Sequence, residues 1–126
     1  MTNDAGLFQQ EGYDFMAVFD VYNEMGHGFL EEVYHESLEL EPSQRGSAHA
    51  SKSRLSLFYK GKLPKKHYEA DLMIIGEIVV ELKAVKALTT EHDAQLINYL
   101  RAARKCVGYL INFGSFPRLE WKRFAL

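Results

Sequence analysis

Cysteine is almost missing from this 126-residue chain, with Cys106 the single example. One thiol excludes an internal disulfide framework and a CxxC zinc site. It fits a reducing, cytoplasmic setting, and the side chain itself is expected to pack as a small buried hydrophobe. No apolar run approaches the ~20 residues of a membrane-spanning helix. The opening stretch "MTNDAGLFQQEGYDF" is acidic and polar, which speaks against a signal or transit peptide. His27, His35, His49, His67 and His92 are scattered and never reach HExxH spacing, so they offer no zinc site. Repeats, low-complexity tracts and interdomain linkers are also lacking, and residues 1–126 read as one domain. No basic run is interleaved with aromatics, so base stacking or sequence readout is not expected.

What the chain does have is an uneven charge. Residues 1–50 carry a balance of −9 and residues 51–126 a balance of +7, against a net −2 overall. Such a division either marks an anionic ligand near the basic half or is neutralised across the fold.

Periodicity sets the elements. "DFMAVFDVYNEMG" places Phe15, Val18, Phe19, Tyr22 and Met25 at helical spacing, with Gly26 as a stop. "HGFLEEVYHESLELEP" begins a second helix with Phe29, Leu30, Val33, Tyr34, Leu38 and Leu40 as its apolar stripe, and Pro42 ends it by about Glu41. "SQRGSAHASKS" reads as loop, and "RLSLFYKGKL" as a strand with a turn at Lys60–Gly61. "HYEADLMII" and "EIVVELKAV" read as strands joined around Gly76. Neither has a polar face, so both should be covered on both sides. "TTEHDAQLINYLRAARK" reads as a helix capped by Thr90, with Asp93 at the capping-box position. "CVGYLINF" and "RLEWKRF" close the series. The order ααβββαββ predicts an α/β fold, a mixed β-sheet flanked by helices.

Within "IVVELKAV", residues 78–85, Glu81 and Lys83 interrupt an apolar strand and point the same way. An unpaired buried charge costs several kcal/mol or shifts its pKa, so the two either pair at a strand end or serve a site. Asp71 opens the preceding strand in equally apolar company. A two-residue turn at Gly76–Glu77 would set Asp71 opposite Leu82 and put the two acids on opposite faces. A three-residue turn or a bulge shifts the register by one and puts both on one face. Two carboxylates and a lysine at a sheet edge suit a hard divalent cation such as Mg²⁺, which prefers carboxylate oxygens and bridges to phosphate. "GFLEEVY" adds Gly28, Glu31 and Tyr34, the last two on one helical stripe. Gln95 and Tyr99 share a face of the later helix.

These segments together resemble the GxxExxY family of small bacterial and archaeal proteins, within the PD-(D/E)xK nuclease superfamily. The matching text is "GHGFLEEVY", "YEADLMI", "IVVELKAV", "HDAQLINYLRA" and "VGYLINFG", in order across residues 26–114. The resemblance implies a restriction-endonuclease-like fold. It implies Mg²⁺ or Mn²⁺ held by Asp71, Glu81 and the Leu82 carbonyl, completed or supported by Glu31. It implies a catalytic Lys83, with Gln95 and Tyr99 as a QxxxY motif supporting the site and contacting DNA, and Gly28 and Tyr34 as structural motif residues. Ala70 stands where the superfamily name places proline.

The function expected is a metal-dependent nuclease (a hydrolase of phosphodiester bonds), acting on DNA more readily than RNA. Lys60, Lys62, Lys65, Lys66, Lys86, Arg101 and Arg104 are candidates for backbone contacts. The alternative is a non-catalytic nucleic-acid-binding or protein-interaction module that retains the nuclease fold. A homodimer, a larger protein partner or a dimeric junction-resolving arrangement is compatible with so small a domain.

Overall fold

The computed structural model describes residues 16–41, 49–64, 67–74 and 76–126. Helix α1 covers residues 16–25 and α2 Glu31–Glu39. Strands β1 (His49–Leu55), β2 (Tyr68–Ile74) and β3 (Ile78–Lys83) follow. Helix α3 (Thr90–Ala103) then leads to β4 (Val107–Asn112) and β5 (Glu120–Ala125). The five strands form one sheet in the order β1-β2-β3-β4-β5. β3 and β4 are parallel, and the other neighbours are antiparallel. The expected element order and the mixed sheet are both present.

Two apolar clusters sandwich the sheet. Ile78, Val80 and Leu82 of β3 pack with Tyr109 and Ile111 of β4 beneath Val18 and Val21 of α1 and Tyr34 and Leu38 of α2. On the other face, Val79, Leu110, Met73 and Ala70 pack against Leu96, Leu100 and Ala103 of α3. Both faces of β3 and β4 are thus covered, which is why those strands lack a polar side. Gly108 lies where α3 crosses β4. A Cβ there would come within 3.0 Å of Leu100.

Several local expectations shift. In α1 the buried stripe is Val18 and Val21 with Tyr22 and Met25 partly covered, while Phe19 is exposed and Phe15 lies outside the described residues. Phe29, Leu30 and Leu40 flank α2 and are exposed, and Pro42 lies outside the described residues. Helix α3 is capped by Thr89 rather than Thr90. Its hydroxyl accepts from the His92 N–H while His92 Nδ1 accepts from the Thr89 N–H, closing the capping box one residue early. Asp93 instead pairs with Lys122 of β5 at 2.9 Å. Cys106 is exposed, not buried. No helix among the described residues is long and apolar enough to cross a membrane.

β1 begins within the stretch expected to be loop. Its sequence, HASKSRL, is polar because it is an edge strand paired on one side only, to β2. The Lys60–Gly61 turn lies beyond it. Both residues have positive φ, and Tyr59 and Lys62 exchange two backbone hydrogen bonds of 2.9 Å. These are the features of a type I′ turn.

Candidate active site

The register between β2 and β3 decides whether the two acids meet. Leu72 pairs with Val80, Met73 with Val79 and Ile74 with Ile78, so residues 75–77 form a three-residue connection. Continued by one step, this register sets Asp71 opposite Glu81. The backbone ladder gives way there to side chains. The Asp71 N–H donates to Glu81 Oε1 at 3.3 Å, and the Leu82 N–H donates to Asp71 Oδ2 at 2.8 Å. The N–H and C=O of one strand residue point to the same neighbouring strand, so the Leu82 carbonyl is directed to the Asp71 side as well.

β2 also changes face at this point. Leu72 and Ile74 pack under α1 and α2, yet Ala70 and Tyr68, which simple alternation would put with them, pack on the α3 side. Lys52, the residue facing Asp71 across the β1–β2 ladder, drops out of that ladder and has φ of 49°. A non-glycine residue in that region is uncommon, and it marks the local twist that turns Asp71 toward β3.

Glu81 is buried, at 9% exposure. Its carboxyl is pushed up to about 7, chiefly by burial and then by the negative charge of Asp71. Hydrogen bonds from the Tyr68 hydroxyl and the Asp71 N–H, and the Lys83 charge, pull it back only in part. Tyr68 is held well above the usual phenol range by burial and by the Glu81 carboxylate to which it donates. Its ring stacks on Tyr99 at 3.6 Å between centroids, and Gln95 Nε2 lies 3.5 Å from the Tyr99 hydroxyl. Gln95 and Tyr99 therefore connect to Glu81 through Tyr68.

Glu31 sits in the first turn of α2. Partial burial raises its carboxyl, as does the charge of Asp71, while Lys83 and His35 act against the rise. Asp71, Lys83 and Glu31 thus share one electrostatic neighbourhood. One turn further along α2, buried His35 places Nε2 at 3.0 Å from the Asp71 carbonyl. A carbonyl only accepts, so Nε2 carries the proton. The histidine ties α2 to the strand that holds the acid.

The loop before Glu31 explains Gly28 and Tyr34. Gly28 has φ of 105°, which L side chains rarely adopt. Tyr34 is fully buried and stacked on Phe113 at 4.5 Å. Its hydroxyl donates to the Gly26 carbonyl at 2.6 Å and accepts from the Phe29 N–H at 3.2 Å. Tyr34 clamps the turn from which Glu31 projects. After Lys83, Asn112 Oδ1 accepts the Val85 and Gly114 N–H groups, and Glu120 accepts from Asn112 and from the Leu88 N–H. The chain passes so close here that a Cβ on Gly114 would lie 2.3 Å from the Val85 carbonyl oxygen.

Among the described residues no group of three or more His, Cys, Asp or Glu side chains is arranged to hold a metal ion. The donors that do converge are two carboxylates and a carbonyl. That hard-oxygen set matches how Mg²⁺ is commonly held, by one or two carboxylates with water and phosphate filling the remaining positions. After burial, the Asp71 charge is what raises Glu81, and a cation between the two carboxylates would offset it.

The sequence profile of the PD-(D/E)XK nuclease superfamily matches residues 11–124. The chain belongs to this superfamily. Members of the PD-(D/E)XK nuclease superfamily generally use divalent metals, in keeping with the oxygen donors found here. The crystal structure of SSO0001 aligns with a TM-score of 0.58 at 21% identity, over 75% of this chain and 48% of that one. The present chain thus spans about half the length of that protein, and the likeness is one of fold. No curated protein matches the chain.

Of the sequence-derived residues, Asp71 lies in the middle of β2 rather than opening it, Glu81, Leu82 and Lys83 form the end of β3 beside it, Glu31 faces them from the first turn of α2, and Gln95 and Tyr99 reach Glu81 through Tyr68. Lys60 and Lys62 stand exposed on the type I′ turn, Lys86 follows β3, and Arg101 and Arg104 lie at the exposed end of α3. Lys65 and Lys66 lie outside the described residues. Tyr68 and His35 escaped the sequence reading. The one signal for Tyr68 was its position three residues before Asp71. His35 falls four residues after Glu31, hence on the same helix face.

Proposed function

We propose that this chain is a divalent-metal-dependent nuclease of the GxxExxY type, formed as one domain over residues 1–126, that hydrolyses phosphodiester bonds of DNA. The supporting observation is the three-residue β2–β3 connection, which lets Asp71 and Glu81 face each other beside Lys83. Asp71, Glu81 and the Leu82 carbonyl would hold Mg²⁺ or Mn²⁺, with Glu31 at its margin. Such an ion, when bound, offsets charge on a phosphoryl oxygen and lowers the pKa of a bound water.

The remaining roles fall to the chain itself. Lys83 shares the strand face of Glu81, and its ammonium would orient the attacking water and stabilise the developing negative charge. The Tyr68 hydroxyl fixes the Glu81 carboxylate, and Tyr99 and Gln95 hold Tyr68 by stacking and a long polar contact. His35 fixes the Asp71 backbone. Lys60, Lys62, Lys86, Arg101 and Arg104, with Lys65 and Lys66, would neutralise backbone phosphates.

The second reading, a binding module that keeps the fold without catalysis, draws on the lack of a ready three-ligand cluster among the described residues. One experiment separates the two. Mn²⁺ is titrated calorimetrically into wild type and Asp71→Asn, and both are assayed on linear, single-stranded and branched DNA. A nuclease binds Mn²⁺ and cuts, and Asp71→Asn loses both. Wild type that binds no Mn²⁺ and cuts nothing would leave the binding module standing.

A further inference from the structure

The fold assembles an aromatic and basic surface that no single stretch of sequence contains. An open groove of about 320 Å³ lies on the α3 side, bounded by Arg54, Leu55, Ser56, Phe58, Met73 and Lys105 among others. Lys105 Nζ donates to the Gly76 carbonyl at 2.8 Å, which holds its charge at the groove wall. The Arg104 guanidinium lies over the Phe58 ring at 4.8 Å. Phe58 is anchored in turn by its N–H to the Ala102 carbonyl at 3.0 Å. The type I′ turn beside the groove presents Tyr59, 65% exposed, with Lys60 Nζ 5.5 Å from its ring centre. Lys62 and exposed Leu63 complete the turn.

Among the described residues no carboxylate forms an ion pair with Arg54, Arg104, Lys105, Lys60 or Lys62. Glu69 stands opposite Arg54 in the β1–β2 ladder without making one. Cations without acids, hydroxyls at the rim and exposed aromatic rings are what a single-stranded nucleic acid uses. Phosphates follow the cations while bases stack on rings that accept any base. A continuous duplex offers the same phosphates but keeps its bases stacked on one another, and would leave Tyr59 without a partner.

We infer that this groove and turn form an accessory subsite for a single-stranded segment of the substrate, so that the protein acts on nucleic acid carrying an unpaired tail. The inference rests on the nuclease reading above and adds a substrate class to it. From Asp71 to Ile74, the last residue of β2, is about 10 Å at ~3.3 Å per residue. That is about three nucleotides at the ~3.4 Å spacing of a stacked strand, and Gly76 of the groove lies past that end, so about five are needed to occupy it. Tails shorter than this leave the subsite empty.

The test uses full-length Lys83→Met protein, to suppress cutting, and fluorescein-labelled DNA followed by anisotropy. The probes are a 20-nucleotide oligo-dT, a blunt duplex, and duplexes with 3′ or 5′ tails of two, five and eight nucleotides. The expected result is tighter binding of oligo-dT and of the tailed duplexes with five or more unpaired nucleotides than of the blunt duplex. Tyr59→Ala should weaken oligo-dT binding roughly tenfold while changing the blunt duplex less than twofold, with Arg54→Ala acting in the same direction. Oligo-dT binding that neither substitution changes, or equal loss for oligo-dT and blunt duplex, would overturn the subsite while leaving the nuclease reading intact. Failure to bind any of these DNAs, together with no cleavage by wild type, would remove the nuclease reading itself and the subsite with it.

Discussion

Replacing Glu81 by glutamine should flatten the pH dependence of folding stability in a calculable way. In the folded chain the Glu81 carboxyl is pushed up to about 7, against an ordinary value of 4.5. Between those limits the folded state holds a proton that the unfolded chain has released. The stabilisation is therefore complete below about 4.5 and is lost as pH rises through 7. A rise of this size corresponds to about 3 kcal/mol, or roughly 10 °C in Tm for a chain of this length. Glutamine keeps the shape and the acceptor for the Asp71 N–H. Its amide can donate to the Tyr68 oxygen, and it carries no charge to bury. Urea denaturation of both proteins at pH 5, 6, 7 and 8 in chelator measures the difference. Wild type should lose stability relative to Glu81→Gln across this range, by up to about 3 kcal/mol. Glu31, whose shift does not arise from Glu81, occurs in both proteins and cancels in the difference. A difference that stays constant from pH 5 to 8 would refute the idea that burial and Asp71 together destabilise the Glu81 charge.

Tyr68→Phe removes a hydrogen bond that holds the Glu81 carboxyl down, so the midpoint of the wild-type stability loss should move to higher pH in the same denaturation series. Tyr34→Phe leaves the Gly26 carbonyl and Phe29 N–H without their partner and should cost ~1–3 kcal/mol by urea denaturation. Gly114→Ala drives a methyl group against the Val85 backbone and should destabilise by more than ~3 kcal/mol. Gly76→Ala, with open space around it and φ of 70°, should cost only ~1 kcal/mol. Thermal melts followed by circular dichroism separate the two glycines. Lys83→Met should abolish cleavage while retaining Mn²⁺ binding in calorimetry, and loss of both would move Lys83 from catalysis to the metal site.

β3 and β4 were legible because residues covered on both faces leave no polar alternation, and Glu81 stood out against that background. The meeting of Asp71 and Glu81 hung on one residue of loop length, which sequence poses as alternatives and only the register resolves. β1 was misread because an edge strand can afford the polar residues of a loop. Thr89 and Thr90 are chemically alike, so the choice of cap depended on which hydroxyl met the His92 amide. Tyr68 and His35 act through partners distant in sequence, and their residue types carry no signal of it. The aromatic and basic surface is invisible along the chain because Phe58 and Tyr59 acquire Arg104 and Lys105 only when α3 docks.

The substitution of side-chain oxygens for backbone carbonyls at Asp71 and Leu82 makes two amides answer to carboxylates. Elsewhere in the sheet an amide exchanges with solvent when strands part. At these two positions it exchanges when a carboxylate turns away, while the strands stay paired from Leu72 to Val80. Hydrogen exchange at Asp71 and Leu82 therefore reports how the two acids are engaged, independently of the stability of the sheet around them.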